Sequence, residues 1–509
     1  MRKITAIVVG AIVAMGSFVL LPDARAELTV HRMFSDQMVL QRGVCVPIWG
    51  TADPGEKVGV SFRGQKKETT ADSTGKWMVK LDPLKVGEPD KLTVTGKTSV
   101  TFDDVLVGEV WLGSGQSNMA GGTGEYVRRD EVLAEMVKVA PYPNLRLYRG
   151  DWKVATADNV NRFSAILFAF GQPLQKELGV PVGLIVGAVG GTPSGRWLSG
   201  EMLAADPGVK ALLEKSTAGA SLLGQMKAHE KAIAKWAEAV KRAEAEGKSP
   251  PQRPQGPVRV GDLYARYIAP VVPYAIRGVL WDQGESGTAV QGVDQFTMMG
   301  ALISGWRKAW GQGDFPFLYV QKPSGGGCAW GTDNPVTRMA NPFSQQPANP
   351  NRDADGRYRE LHISISQHPH TAMVTASDLG SGIHPVNKSG YGRRACRVAL
   401  GFVYGHKVAI CGPTYDSHTV EGDKIRIRFK HVGKGLAFRH GEKLQGFEIA
   451  GADGVYHWAD AKIDGDTVVA SSDKTPEPIH IRYGYSNNRS WANLFNKDGL
   501  PALTFRKDK

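Results

Sequence analysis

The chain has 509 residues, of which 22% are charged, and carries a formal net charge of +12. A single core seldom supports that length, so two or three domains are expected. The cations are dispersed, with no basic block and no nucleic-acid motif, which argues against a nucleic-acid partner, while a basic surface fits an acidic polymer or an anionic envelope.

The first 26 residues read as a secretory signal peptide. Arg2 and Lys3 precede an apolar run from Ile4 to Leu21, and Ala24-Arg25-Ala26 fits a small-x-small cleavage site. The run is marginal for spanning a bilayer, so the expectation is a mature chain from Glu27, periplasmic or extracellular, with no stable membrane insertion; an uncleaved anchor is the alternative. No cysteine follows the run to accept a lipid. Cys45, Cys328, Cys396 and Cys411 are too sparse for a disulfide scaffold and form no CxxC pair; Cys396 and Cys411 are the closest pair should a bond exist.

Residues 27–104 alternate in short runs (VCVPIWG, KVGVSF, KWMVKL, KLTVTG, SVTF) broken by turn clusters such as ADPGEK, which predicts a small N-terminal β-sandwich. Residues 105–404 change texture. Continuous apolar strands (VLVGEVWL, VGLIVGAV, IRGVLWDQ, FPFLYVQK, AMVTASD) alternate with amphipathic helices (FSAILFAFGQPLQKEL, QFTMMGALISGWRKAW, GYGRRACRVALGFVY), which predicts a three-layer α/β/α domain around a parallel sheet. A charged helical insertion occupies about residues 199–257, and residues 324–358 form a long loop of the kind that often lines sites. Residues 405–509 return to short alternating strands (KVAICG, KIRIRF, LAFRH, FEIAG, DTVVASS, PIHIRYGY), a second β-sandwich.

Sites in such sheets lie beyond the carboxyl ends of the strands. After the first strand comes LGSGQSNMAGG. It lacks the Gly-Lys-Ser/Thr of a phosphate loop and matches only half of the hydrolase elbow, yet it exposes Ser117 in a tight turn opening onto Asn118. After the second strand, Gly190-Gly191 permits close backbone approach and leaves N–H groups to face an oxyanion. The third strand ends in WDQGESG, with Gln283 and Glu285, and the fifth leads into SDLGSGIHPVNKSGYG, with His384 before a helix. Serine, histidine and a carboxylate at neighbouring strand ends are the constellation that acyl transfer needs. The pair His368 and His370 has a spacing seen in metal sites but no carboxylate or cysteine in register, so no metal is assigned.

Taken together, GQSNM, GGTPSGRW, WDQGES and IHPVNK resemble the sialate O-acetylesterase family of SGNH-type carbohydrate esterases, to which acetylxylan esterases are related. The likeness extends over both flanking β-regions. The resemblance implies a serine esterase that removes O-acetyl groups from carbohydrates through an acyl-enzyme, with no cofactor. Ser117 would be the nucleophile and His384 the general base, with the N–H groups of Ser117 and of Gly190 or Gly191 and the Gln283 side chain as the oxyanion hole. Asn118 is a candidate substrate contact, as are two residues outside the family's catalytic positions: Trp197, which directly follows the GGTPSGR loop and would stack on a sugar face unless it packs internally, and Arg196, which would meet a substrate carboxylate or form a surface salt bridge. Ser114 matches no catalytic position and reads as a hydroxyl tying down the turn.

The triad acid stays open. Gly382 and Ser381 stand where the family commonly has an aspartate, so Glu285 is the first candidate, Asp378 the second, and a Ser–His dyad held by a backbone carbonyl the third. Gly287 also replaces an asparagine usual in the family. An esterase for other small acyl esters and a catalytically silent glycan-binding protein are the competing readings.

Overall fold

The computed structural model describes residues 27–508 apart from residues 216, 253, 255, 257–259 and 352–354. The expected signal peptide lies outside the described residues. Among the described residues no helix is long and apolar enough to cross a membrane.

The fold is organised around one long strand, β1 (Ser99–Gly115). Its first half alternates in burial and pairs antiparallel with Asp90–Thr95 of the N-terminal β-region, while its second half is buried on both faces. The switch from alternating to continuous burial falls between Asp104 and Val105 inside an unbroken strand, so N-terminal region and central layer share backbone hydrogen bonds rather than a linker. Val39–Gln41 adds to this join by running parallel to Leu106–Gly108 of β1.

The central layer continues with β2 (Tyr142–Tyr148), β3 (Trp152–Ala155), β4 (Val182–Ala188), β5 (Gly278–Asp282), β6 (Phe317–Val320) and β7 (Thr371–Val374), in spatial order β3-β2-β4-β1-β5-β6-β7. Every neighbouring pair is parallel except β3 with β2. The edge pair β2–β3 gave no sequence signal because YPNLRLY and WKVA lack a long apolar run. In the other direction, KVAICG was expected as a strand and forms none.

Four helices matter for the site: α1 (Ser117–Ala120), α2 (Ala165–Leu178), α3 (Gln295–Trp310) and α4 (Lys388–Phe402). The Ser164 hydroxyl caps α2 by accepting from Leu167 N–H, and Gly179 ends it in the left-handed conformation. On one face of the sheet α2 and α4 bury Ile166, Phe170, Ala395 and Ala399 against Leu184, Leu280 and Leu318. On the other, α3 sets Trp306 and Leu302 against Trp281 and Phe317. The insertion is helical, chiefly Thr217–Ala245, and is anchored through Leu203, Leu213 and Met226 against Met298 and Ala301 of α3. The C-terminal region has two four-stranded sheets and a two-stranded ribbon around Ile427, Phe447, Ile449 and Ile481. All four cysteines are unbridged, Cys396 and Cys411 included.

Glycine is required where β1 ends. Gly115 has φ +126, and a Cβ there would lie 2.1 Å from the carbonyl oxygen of Asp282, its register partner on β5. Gly115→Ala therefore drives these two strands apart at the site. It is expected to cost well over about 1 kcal/mol, read as a lowered urea midpoint.

Candidate active site

Four strand ends converge. β1 delivers Ser117 at the first position of α1, where the N–H has no intrahelical acceptor. The loop after β7 brings back His384, whose Nε2 lies 2.9 Å from Ser117 Oγ. The histidine is exposed and the serine half-buried, so the pair faces solvent from the sheet mouth. Gly190, after β4, packs against Ser117 so closely that a Cβ there would touch the Ser117 Cβ at 3.4 Å. Among the described residues the N–H groups of Gly190 and Gly191 have no acceptor. Two unengaged donors beside a serine oxygen suit a developing oxyanion.

The carboxylates go elsewhere. Glu285 accepts from Gln116 Nε2 at 2.6 Å and Asn118 Nδ2 at 3.4 Å, and its other partner is Lys322 Nζ at 2.8 Å. Asp378 is fully buried in a two-pronged ion pair with Arg394, at 2.8 and 3.1 Å. Neither reaches His384, and among the described residues His384 has no carboxylate partner. The reason is competition: each acid lies closer to a buried cation that would otherwise be uncompensated.

Other expected residues also take structural positions. The Gln283 amide is fully buried, donating to the Gly287 carbonyl at 2.9 Å and accepting from Gln295 at 2.9 Å, so it braces the strand-end loop rather than facing Ser117. Trp197 is 0% exposed, its ring edge-on to Trp281 and its Nε1 donating to Thr192, leaving no face for a sugar. Arg196 is paired with Asp262. Asn118 is buried, with its amide spent on Glu285, the Ile383 carbonyl and Lys388. Ser114 is fully buried and its hydroxyl has no partner among the described residues, so it does not tie the turn. His368 and His370 bond the carbonyls of Phe296 and Asp314.

The sequence reading missed the electrostatic floor. Lys322, at the end of β6, is 0% exposed and its ammonium sits 2.7 Å from Asp282 and 2.8 Å from Glu285. Burial opposes its charge, but the two carboxylates outweigh that and raise its pKa above the usual lysine value. Burial lifts the Asp282 carboxyl above its ordinary range, with Lys322 pulling the other way. His362, also fully buried, is pushed down to about 3 by burial and by Lys322 and Arg359, and so stays neutral. A lysine closing an apolar strand, as in FLYVQK, was the available signal.

Residues 107–249 match the family described as carbohydrate esterase, sialic acid-specific acetylesterase. Sialate O-acetylesterases of Homo sapiens and Mus musculus are 27% and 29% identical over 421 and 425 residues, 73% of this chain in each case and 70% and 72% of theirs. A carbohydrate acetylesterase from Xanthomonas citri superposes with a TM-score of 0.72 at 28% identity, covering 94% of this chain and 99% of the other. Over most of its length the chain is similar to sialate O-acetylesterases. It is a carboxylic ester hydrolase with a mixed α/β architecture.

Lys322→Met tests the floor of this esterase site. Removing the cation leaves Asp282 and Glu285 facing each other without compensation, so stability should fall by about 3–5 kcal/mol in chemical denaturation.

Proposed function

We propose that the chain removes O-acetyl groups from carbohydrates, an acetylated sialic acid or polysaccharide, by a serine mechanism. The observation that carries this reading is the 2.9 Å contact between Ser117 Oγ and His384 Nε2 beside the unengaged N–H groups of Gly190 and Gly191. As Ser117 Oγ bonds to the acetyl carbon, its proton passes to His384 Nε2 and the carbonyl electrons move onto oxygen. The N–H groups of Ser117 and Gly190 or Gly191 stabilise that oxyanion. Its collapse breaks the bond to the sugar oxygen, which takes the proton from His384. Water, deprotonated by the same histidine, then attacks the acetyl-serine, and acetate leaves as Ser117 regains its proton. Export is part of this reading and rests on the character of residues 1–26.

Ser117→Ala should lower turnover by about 10⁶, whereas Ser114→Ala, a buried position off the site, should keep the chemistry. Acetate release from an acetylated sugar and from p-nitrophenyl acetate reads both; an active, folded Ser117→Ala would refute the mechanism.

The acid is the finer point. With Glu285 and Asp378 committed to Lys322 and Arg394, we read the site as a Ser117–His384 dyad. Loss of a true triad carboxylate costs up to about 10⁴ in turnover. Glu285→Gln keeps shape and retains Asp282 for Lys322, so it should cost no more than about 10-fold, and Asp378→Asn should lower stability more than kcat. A loss near 10⁴ in folded Glu285→Gln would restore that residue as the acid.

A further inference from the structure

We propose that Lys388 is a positioning residue for the reaction, acting through Asn118 to hold the peptide of His384 in register with the nucleophile. The inference rests on the Ser117–His384 reading above. Asn118 follows the nucleophile directly and its Nδ2 donates to the carbonyl of Ile383 at 3.0 Å, the residue directly before the base. One side-chain amide therefore bridges the backbones of both reacting residues. That tie matters because His384 is exposed and among the described residues has no carboxylate to orient its ring.

An asparagine amide fits its slot in either sense, and its partners decide which end carries the donors. Ile383 offers a carbonyl and Glu285 a carboxylate, both needing a donor. Lys388 Nζ, a donor with no acceptor capacity when charged, meets Oδ1 at 2.5 Å from the third side. Reversing the amide would set oxygen against oxygen at Ile383 and NH₂ against ammonium at Lys388. The lysine thus fixes the sense in which Asn118 can reach the histidine loop. Its own place is fixed twice: it opens α4, whose Ser389 is bonded to Asp130, and its ammonium lies 4.5 Å from the centre of the Tyr126 ring.

Lys388 is fully buried, and burial together with the Lys322 charge pushes its pKa down to about 7 against the opposing pull of Asp282, Glu285 and Asp130. Tyr126 is the remaining titratable group facing the ammonium. Below about 7 the charged form, donor only, holds the amide; above it the neutral amine carries a lone pair and no longer dictates its sense. The tie is strongest on the acid side of that value and weakens as pH rises through it.

The test compares Lys388→Met, Asn118→Asp and Ser117→Ala with the wild type, by kcat and KM on p-nitrophenyl acetate between about pH 6 and pH 8, after thermal melts establish that each is folded. Lys388→Met keeps volume without the donor; Asn118→Asp keeps an acceptor for Lys388 but has no donor for Ile383, so it probes the tie even if the lysine variant fails to fold. A displacement of the base should cost both variants roughly 10- to 100-fold in kcat with KM nearly unchanged. The ratio of wild-type to Lys388→Met kcat should fall as pH rises through about 7, since the histidine's own pH dependence is common to both, a feature a merely structural lysine would not produce. Wild-type kcat across this range in a folded variant, or a loss confined to KM, would overturn the proposal. Should Ser117→Ala itself remain active, it is the underlying mechanism that fails.

Discussion

The ammonium of Lys322, buried without exposure between Asp282 and Glu285, is the constraint on which the site depends. A buried lysine is tolerated only where carboxylates compensate it, and these two come from the end of β5 and the loop beyond it. The cation on β6 therefore fixes where the third strand-end loop lies. Glu285, held from below, accepts from Gln116 and Asn118 on either side of Ser117. The charge cluster thus braces the residues flanking Ser117 without touching Ser117 or His384.

For the proposed mechanism, this arrangement gives a physical account of a base without an acid. In a triad the carboxylate fixes the histidine tautomer and stabilises its imidazolium. Here the available acids neutralise lysine and arginine, and the orientation of the histidine loop is carried by a neutral amide, Asn118 to Ile383. Gly382, with φ +91, stands directly before Ile383, a conformation that glycine adopts without strain.

The flanking β-regions are joined to the catalytic layer by structure rather than by tethers. β1 serves both the N-terminal region and the central sheet, and the buried Glu109 within it binds the half-buried Arg42, Arg277 and Tyr404. At the other end, Arg489 N–H donates to the Gly326 carbonyl and Arg506 N–H to the Glu360 side chain, fastening the C-terminal region to the loop after β6 and to the helix Arg357–Ser364. Elements fastened this way hold the strand-end residues in place.

Local chemistry made much of this legible from residues alone. Continuous apolar runs, amphipathic periods and glycine-rich strand ends depend on near neighbours, so the order of strands and helices, and Ser117, Gly190 and His384 at the mouth, could be read from spacing and motif. Partner choice could not. Glu285 and Asp378 were read as acids for His384 because their motifs lie at the right strand ends, and Trp197 as a sugar platform because it follows the right loop. Which cation each acid meets, and which face of Trp197 is covered, depend on strand order and helix placement. The bond from Lys388 to Asn118 joins residues 270 positions apart. Sequence determined which groups arrive at the mouth of the sheet; the tertiary fold decided their pairing, because buried charge takes whichever opposite charge the packing brings closest.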